Sequence, residues 1–208
     1  CFESVAGYFT PEFEPLRILA MSGAVPTDAG RWSVENGIAG MVIGGSCYSP
    51  LDDEPWIRRI EPFVAGCVGA GFPILAICFG HELLASALDG KLGRLPEQAI
   101  TMRDVEILVD DPLFAGFGPA MRQPVSHSVY VESPPSGFDV IASTAECRVM
   151  AMKQHGRPVY GVQFHPEVDA GIKGPDPTWG PVSDEEFAET EGPAVMRNFA
   201  QIVQRSAG

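Results

Sequence analysis

Basic residues are scarce in this chain. Fourteen Lys and Arg stand against 27 Asp and Glu over 208 residues, a formal net charge of −13. That balance excludes the basic stripe that a nucleic-acid surface needs, and it disfavours anionic membranes. It also keeps a protein soluble. Long apolar runs are missing as well: no stretch approaches the ~18 residues of a spanning helix. There are five cysteines, Cys1, Cys47, Cys67, Cys78 and Cys147, with no CxxC pair among them. Without a disulfide framework, the pattern fits a reducing, cytoplasmic compartment. Cys78 and His81 have a spacing that metals use, but no second ligand pair stands nearby. Methionine is absent from position 1. Nothing beside Cys1 would serve it as a chemical partner, and the sequence reads as beginning partway into a protein.

What is present suits one globular domain over residues 1–208. Hydrophobic residues make up 45% of the chain and charged residues 20%, and a chain of this length buries a sizeable core. Leu16–Met21 and Ile38–Gly45 are apolar runs that read as strands. A helix is expected from Asp52, Asp53 or Glu54 to about Val68. Pro55 sits early, where its missing N–H costs little, and Trp56, Ile60, Phe63, Val64 and Cys67 recur at helical spacing. Gly69–Gly71 ends it. Pro73–Cys78 is almost continuously apolar, as in a strand buried on both faces, and Gly80–Leu88 follows as a helix stopped by Asp89-Gly90. This order predicts a parallel sheet with helices on its faces. Beyond residue 105 the runs shorten: Val105–Val109, Val125–Val131, Asp139–Ser143, Val149–Lys153 and Pro158–Gln163. Turn sites at Ser136-Gly137 and His155-Gly156 make this half partly antiparallel. Gly171–Val182 reads as a loop, Ser183–Glu186 as a capping box, and Met196–Val203 as a final helix.

The chemistry concentrates in two places. In PILAICFGHE (Pro73–Glu82) a buried strand ends in Cys78 and turns at once into a helix. A thiol attacks carbonyls as the thiolate, which a helix N-terminus or a nearby imidazole favours. The helix starting near Phe79 aims its N–H groups and positive dipole end at the sulfur. Phe79 N–H is the natural first oxyanion donor, and Gly80 permits the tight turn. Far downstream, PVYGVQFHPEV (Pro158–Val168) offers a base, His165, and an orienter, Glu167. Pro166 biases His165 toward extended backbone, in which residues i and i+2 share a face. Gly44 and Gly45 follow a buried strand and offer a second backbone donor. His127-Ser128 stands on a strand that could line the site or simply support it. His81 and His155 read as surface or structural residues, Cys67 and Cys147 as small core residues, and Cys47 as a non-catalytic loop residue.

These residues resemble the class I (triad) glutamine amidotransferases, including their stand-alone relatives and the γ-glutamyl peptidases. The likeness rests on MVIGGSCYSP, PILAICFGHELLASALDGKLGR and VYGVQFHPEV, with weaker support from SHSVYV and MRNF. It runs from about Leu16 to Phe199. It implies a flavodoxin-like α/β fold with three layers: an open, mostly parallel sheet, helices on both faces, and a smaller antiparallel sheet. It further implies that Cys78 attacks a γ-glutamyl carbonyl, His165 moves the proton and Glu167 holds His165. Phe79 and Gly45 would supply oxyanion N–H groups, and backbone at Ser128 and Val129 would hold the α-carboxylate of the small-molecule substrate. The γ-glutamyl thioester would then be hydrolysed to glutamate. No metal or organic cofactor is implied.

Two positions depart from the family. Ala76 stands where glycine is usual. Glu82 stands where a glutamine usually contacts the substrate amino acid; a carboxylate there would attract an α-ammonium, repel an α-carboxylate and oppose thiolate formation. At the front of the chain, Leu16–Met21 is either the family's second strand or part of a remodelled region. The activity expected is hydrolysis of a γ-glutamyl amide. The chain would be either a glutaminase subunit passing ammonia to a separate synthetase subunit or a stand-alone hydrolase of a larger γ-glutamyl compound. A non-hydrolytic binding or regulatory module, or an acyltransferase using the same thioester, is the alternative.

Overall fold

The computed structural model describes residues 2–169, 171 and 177–208. Short helices α1 (Phe2–Gly7) and α2 (Ala29–Glu35) precede the first strand, β1 (Met41–Ile43). The centre of the sheet is β2 (Ile74–Ile77), four apolar residues buried throughout. A strand with no polar face must be covered on both sides. Leu75 and Ile77 accordingly enter one hydrophobic cluster, and Ile74 and Ala76 enter another. The second cluster is roofed by α3 (Pro55–Ala70) and α4 (Phe79–Ala87). The first is roofed by the C-terminal helix α6 (Gly192–Ala207) through Val195, Met196, Phe199 and Val203. Each fully buried Leu, Ile or Phe contributes about 1.5–3 kcal/mol, so these two clusters hold the helices to the sheet.

β2 pairs in parallel with β1 on one side and with β7 (Val159–Val162) on the other. The sheet continues through β6 (Ala151–Gln154), β5 (Phe138–Ser143), β3 (Lys91–Ile107) and β4 (Ala120–Ser133). The order is β1-β2-β7-β6-β5-β3-β4. This is the expected three-layer α/β architecture, with one difference in detail. The antiparallel strands do not form a sheet apart: β6 pairs with β7 edge to edge, and parallel pairing is confined to β1, β2 and β7. Tight turns through Gly137 and Gly156, both at positive φ, enter β5 and leave β6. Parallel neighbours need a long crossover, which these turns do not provide.

Several elements differ from expectation. Leu16–Met21 is not a strand. It is irregular chain ending in a 3-10 turn at Ala20–Ser22, with Leu16, Leu19 and Met21 exposed, because β1 has no further neighbour among the described residues. β1 keeps only three residues of Ile38–Gly45, those that find partners on β2. β3 is 17 residues long, far beyond Val105–Val109, and pairs with β4 along most of its length. Residues 172–176 of the Gly171–Val182 loop lie outside the described residues, as does Cys1; Pro177–Trp179 forms a 3-10 turn. The capping box at Ser183 does form, with Ser183 Oγ accepting from Glu186 N–H, and opens α5 (Asp184–Ala188). No helix among the described residues is long and apolar enough to cross a membrane.

Candidate active site

The turn from β2 into α4 forces Cys78 to φ 51° and ψ −107°. A non-glycine residue in such a region costs on the order of 1–3 kcal/mol and persists only where its surroundings fix it. Here they do. Cys78 N–H donates to Val162 O at 2.8 Å and Glu82 N–H donates to Cys78 O at 3.0 Å, pinning the turn to β7 and to the helix. Gly80 is required by space. A Cβ there would fall 2.3 Å from Ile43 O, so only glycine lets α4 sit over the end of β1. Ala76, the departure from the expected glycine, is fully buried and accommodated. The Cys78 thiol is directed at Ser126 O, 3.5 Å away on β4.

His165 lies just past the end of β7, beside the elbow. Its Nδ1 and Glu167 Oε1 are 2.9 Å apart. The two side chains meet as expected, but by a different route. The backbone is a turn, with Val168 N–H donating to His165 O at 3.2 Å, and not an extended segment. Proline is favoured at the second position of such turns, and Pro166 occupies it. The arm is anchored on both sides. His165 N–H donates to Pro124 O at 2.9 Å, and Gly192 approaches so closely that a Cβ on it would lie 2.6 Å from Pro166 O. Burial alone would lower the proton affinity of His165. The Cys78 thiolate and the Glu167 carboxylate together outweigh it and hold the imidazole well above its ordinary value. His165 Nε2 is buried without a hydrogen bond of ordinary length, the relaxed geometry common where no substrate is bound.

Gly45 completes the convergence. A Cβ built on it would stand 3.0 Å from His165 Cε1 and 3.8 Å from Cys78 Cβ. Neither its N–H nor that of Phe79 is spent on a hydrogen bond within the described residues, and α4 has no side-chain cap. Gly44 faces open space. Ser128 and Val129 lie on β4 opposite a β3 irregularity. Arg94 pairs with Val129 and Ala99 with His127, so the four β3 residues between them leave Ser128 without a ladder partner. His127 is buried and turned inward, with Nδ1 2.9 Å from Val129 O.

Glu82 is not the exposed carboxylate that its identity suggests. It is buried one turn into α4, and burial pushes its carboxyl up to about 8 against the weaker pull of Gln163, His165 and Arg94. Near neutral pH it is therefore an uncharged acid. The negative charge expected beside the sulfur is absent, and an uncharged acid resembles the amide of glutamine in shape and hydrogen bonding. Three residues near the sulfur carry no mark of their own in the sequence. Gln163 Nε2 reaches Glu82 Oε1 at 3.1 Å and Cys78 Sγ at 4.0 Å. Ser126 supplies the carbonyl facing the thiol. Trp179 stands edge-on to His165, with ring centroids 5.3 Å apart, and Phe187 of α5 backs it at 5.4 Å. Gln163 lies inside PVYGVQFHPEV and Ser126 inside SHSVYV, both already singled out, but register brings the Ser126 carbonyl to the sulfur and packing brings Trp179 to His165. Cys47 is exposed, while Cys67 and Cys147 are buried, their thiols pushed up by burial to about 12 and about 11. His155 pairs with Asp139 at the surface, whereas His81 is fully buried with Nε2 facing Val149 O.

The family model for glutamine amidotransferase class-I matches residues 25–179, most of the chain, including Gly45, Cys78, His165 and Glu167. The chain belongs to the class I glutamine amidotransferases. Among the relatives of this family member is a glutamine-hydrolyzing GMP synthase subunit from Methanothermobacter thermautotrophicus. It is 39% identical over 129 residues, covering 62% of this chain and 65% of the relative. The corresponding subunit from Pyrococcus abyssi is 37% identical over 131 residues, covering 62% and 60%. The match thus spans less than two thirds of these relatives. Among solved structures, a glutamine amidotransferase from Methylobacillus flagellatus superposes with a TM-score of 0.74 at 19% identity, over 97% of this chain and 86% of that one. One from Thermotoga maritima gives 0.69 at 18%, over 83% and 79%. At such identities these likenesses speak for the fold.

Proposed function

We propose that this chain hydrolyses the γ-amide of glutamine through a Cys78 thioester and releases ammonia for a separate synthetase subunit. The observation that carries the reading is the convergence of the strained Cys78 elbow with a His165 whose Nδ1 is held by Glu167 at 2.9 Å. The Cys78 thiolate attacks the γ-carbonyl carbon. Negative charge gathers on the carbonyl oxygen, where Phe79 N–H and Gly45 N–H receive it. Removing one such donor typically costs about 2.7–4 kcal/mol in the barrier. His165, kept protonated by its two anionic neighbours, gives its proton to the departing nitrogen, and ammonia leaves. His165 then takes a proton from water as it attacks the thioester. The C–S bond breaks, glutamate departs and the thiolate returns. Glu167 fixes the ring throughout. The stretch of β4 at Ser128 and Val129, where Ser128 has no ladder partner, is where the substrate α-carboxylate binds, and Gly44 gives the oxyanion loop its room. Glu82, uncharged, leaves that anionic group unopposed.

Glutamine is favoured over a larger γ-glutamyl compound because the relatives are named as glutamine-hydrolyzing and the uncharged Glu82 resembles the glutamine usual at its position. The relatives are named as one subunit of a glutamine-hydrolyzing synthase, and a subunit implies a partner. The test is glutamate release from glutamine by the purified chain, beside Cys78→Ala and a panel of larger γ-glutamyl amides. Release that needs Cys78, and that rises when a synthetase subunit is added, is expected. Release confined to a larger amide would overturn the substrate, and release by the alanine variant would overturn the mechanism.

A further inference from the structure

Beside the sulfur, Gln163 and Glu82 form a polar cluster whose Gln163 the mechanism leaves unused. Gln163 is fully buried, at the end of β7 and two residues before His165. A primary amide offers two N–H donors and one carbonyl acceptor. One donor reaches Glu82 Oε1 at 3.1 Å, and the same nitrogen stands 4.0 Å from Cys78 Sγ. The carbonyl, Oε1, is sealed from solvent and has no partner among the described residues. A buried acceptor left unmade costs about 1–3 kcal/mol, so a donor is to be expected within reach. Glu82, whose carboxyl already meets this amide through Oε1, is placed to supply one.

We propose that Gln163 is a positioning residue for the Cys78 sulfur. Glu82 grips its amide by a reciprocal pair of hydrogen bonds, so that the remaining N–H of Gln163 faces Sγ. The inference deepens the hydrolase reading and rests on it. An acid and a primary amide meet naturally in this way. The amide N–H donates to the acid carbonyl, and the acid O–H donates to the amide carbonyl. The second bond satisfies Gln163 Oε1, and it exists only while Glu82 keeps its proton. The burial that pushes the carboxyl to about 8 is consistent with that proton. The titratable and charged groups facing Glu82 are few. They are His165 beyond β7, Arg94 on β3, Asp52 in the loop before α3, and Cys147 ahead of β6. Arg94 is itself 3.7 Å from Asp52. On α3, Glu61 is occupied by Ser86, and on β4, His127 acts on His81 and is itself acted on by His165. β2 contributes no charge.

Loss of the Glu82 proton breaks the second bond, sets a carboxylate against the Gln163 carbonyl and adds negative charge beside the sulfur. Glu82→Gln keeps a donor and an acceptor but cannot ionise. Two readouts test the pair on the intact chain. The first is the pH profile of kcat/KM for glutamine. In the unaltered protein it is expected to fall above about pH 8, approaching tenfold per unit for one essential proton, and E82Q is expected to lack that limb. The second needs no substrate: the rate of iodoacetamide labelling at Cys78, followed on its own peptide. It is expected to show a step near the same pH that E82Q lacks. Gln163→Leu is expected to lower kcat with KM little changed, and to remove the labelling step. Matching profiles for E82Q and the parent, or an unchanged kcat in Q163L, overturn the proposal. If E82Q does not fold, Q163L carries the decision through the same labelling curve. Absence of any glutamine turnover in the parent would sink the hydrolase reading, while the labelling curves still decide this one.

Discussion

His81 and Glu82 are neighbours on α4, both buried, and burial keeps each of them uncharged. For an acid and a base the same cause has opposite consequences. In the unfolded chain Glu82 releases its proton near its ordinary value of 4.5, and in the fold near about 8. Between these values the folded state holds the extra proton. Its contribution to stability is therefore complete below about pH 4.5 and is lost as pH rises through about 8. His81 runs the other way. Burial pulls it from 6.5 to about 3, so its contribution is present above about 6.5 and lost as pH falls toward 3. Replacing Glu82 by Gln removes the first slope and leaves the second. Thermal melts across pH should then show E82Q gaining on the parent protein steadily from about pH 5 to about pH 8. Parallel curves would mean that Glu82 ionises in the fold as freely as in the unfolded chain. No local pattern announced this. A glutamate in the first turn of a helix reads as a favourable surface charge at the dipole, and only the sheet packed beneath it reveals the burial.

At the scale of elements, the strand–elbow–helix unit has little tolerance. Because the Ile43 oxygen that a Gly80 Cβ would strike belongs to the backbone of β1, Gly80→Ala must push α4 off the sheet and carry Cys78 with it. We expect a loss of about 2–3 kcal/mol in denaturant unfolding and at least a hundredfold loss of kcat, since a displacement of about 1 Å at a reacting group costs that much. A G80A protein that turns over glutamine normally would show that the close contact is not structural. This unit was also the most legible part of the sequence. A continuous apolar run broken by Cys-Phe-Gly admits few other backbones, and the cysteine falls at the break. The β3–β4 ribbon was not legible. Gly93, Pro96 and scattered charges spoil any period in β3, and its strand character comes from pairing with residues 120–133, which local patterning cannot see. Leu16–Met21 failed for the opposite reason: its composition suits a strand, but no strand lies beside it. Glu167 meets His165 by another route than the one expected, since proximity in sequence brings the two together through a turn and not an extended face. Ser126 lies in the marked stretch SHSVYV, but the use of its carbonyl was not legible, and Trp179 carried no signal, because register and tertiary packing bring them to the site.

Across the whole molecule, the site is assembled from two parallel neighbours, β2 and β7, and both faces of the sheet are needed to hold them. The helix α6 serves two purposes. Its middle seals the core, with Phe199 stacked edge-on against Tyr160 of β7 at 6.4 Å and against Phe9 at 6.1 Å. Its first residue, Gly192, clamps the Pro166 turn that carries His165 and Glu167. These two roles should separate in variants. Phe199→Ala opens a cavity against Tyr160 and Phe9 and should cost about 3–5 kcal/mol, lowering the melting temperature by roughly 10 °C for a chain of this size. Below its own unfolding transition it should retain most glutamine turnover. Gly192→Ala should do the reverse. Its Cβ presses on the Pro166 carbonyl and shifts the arm, so kcat should fall by an order of magnitude or more at a smaller thermal cost, about half that of F199A or less. Helix, sheet and site would then be coupled through one glycine contact, with the bulk of α6 serving stability alone. Equal losses of turnover at a temperature where both variants are folded would refute that division. They would mean that the core beneath β7, and not the clamp, sets the position of His165.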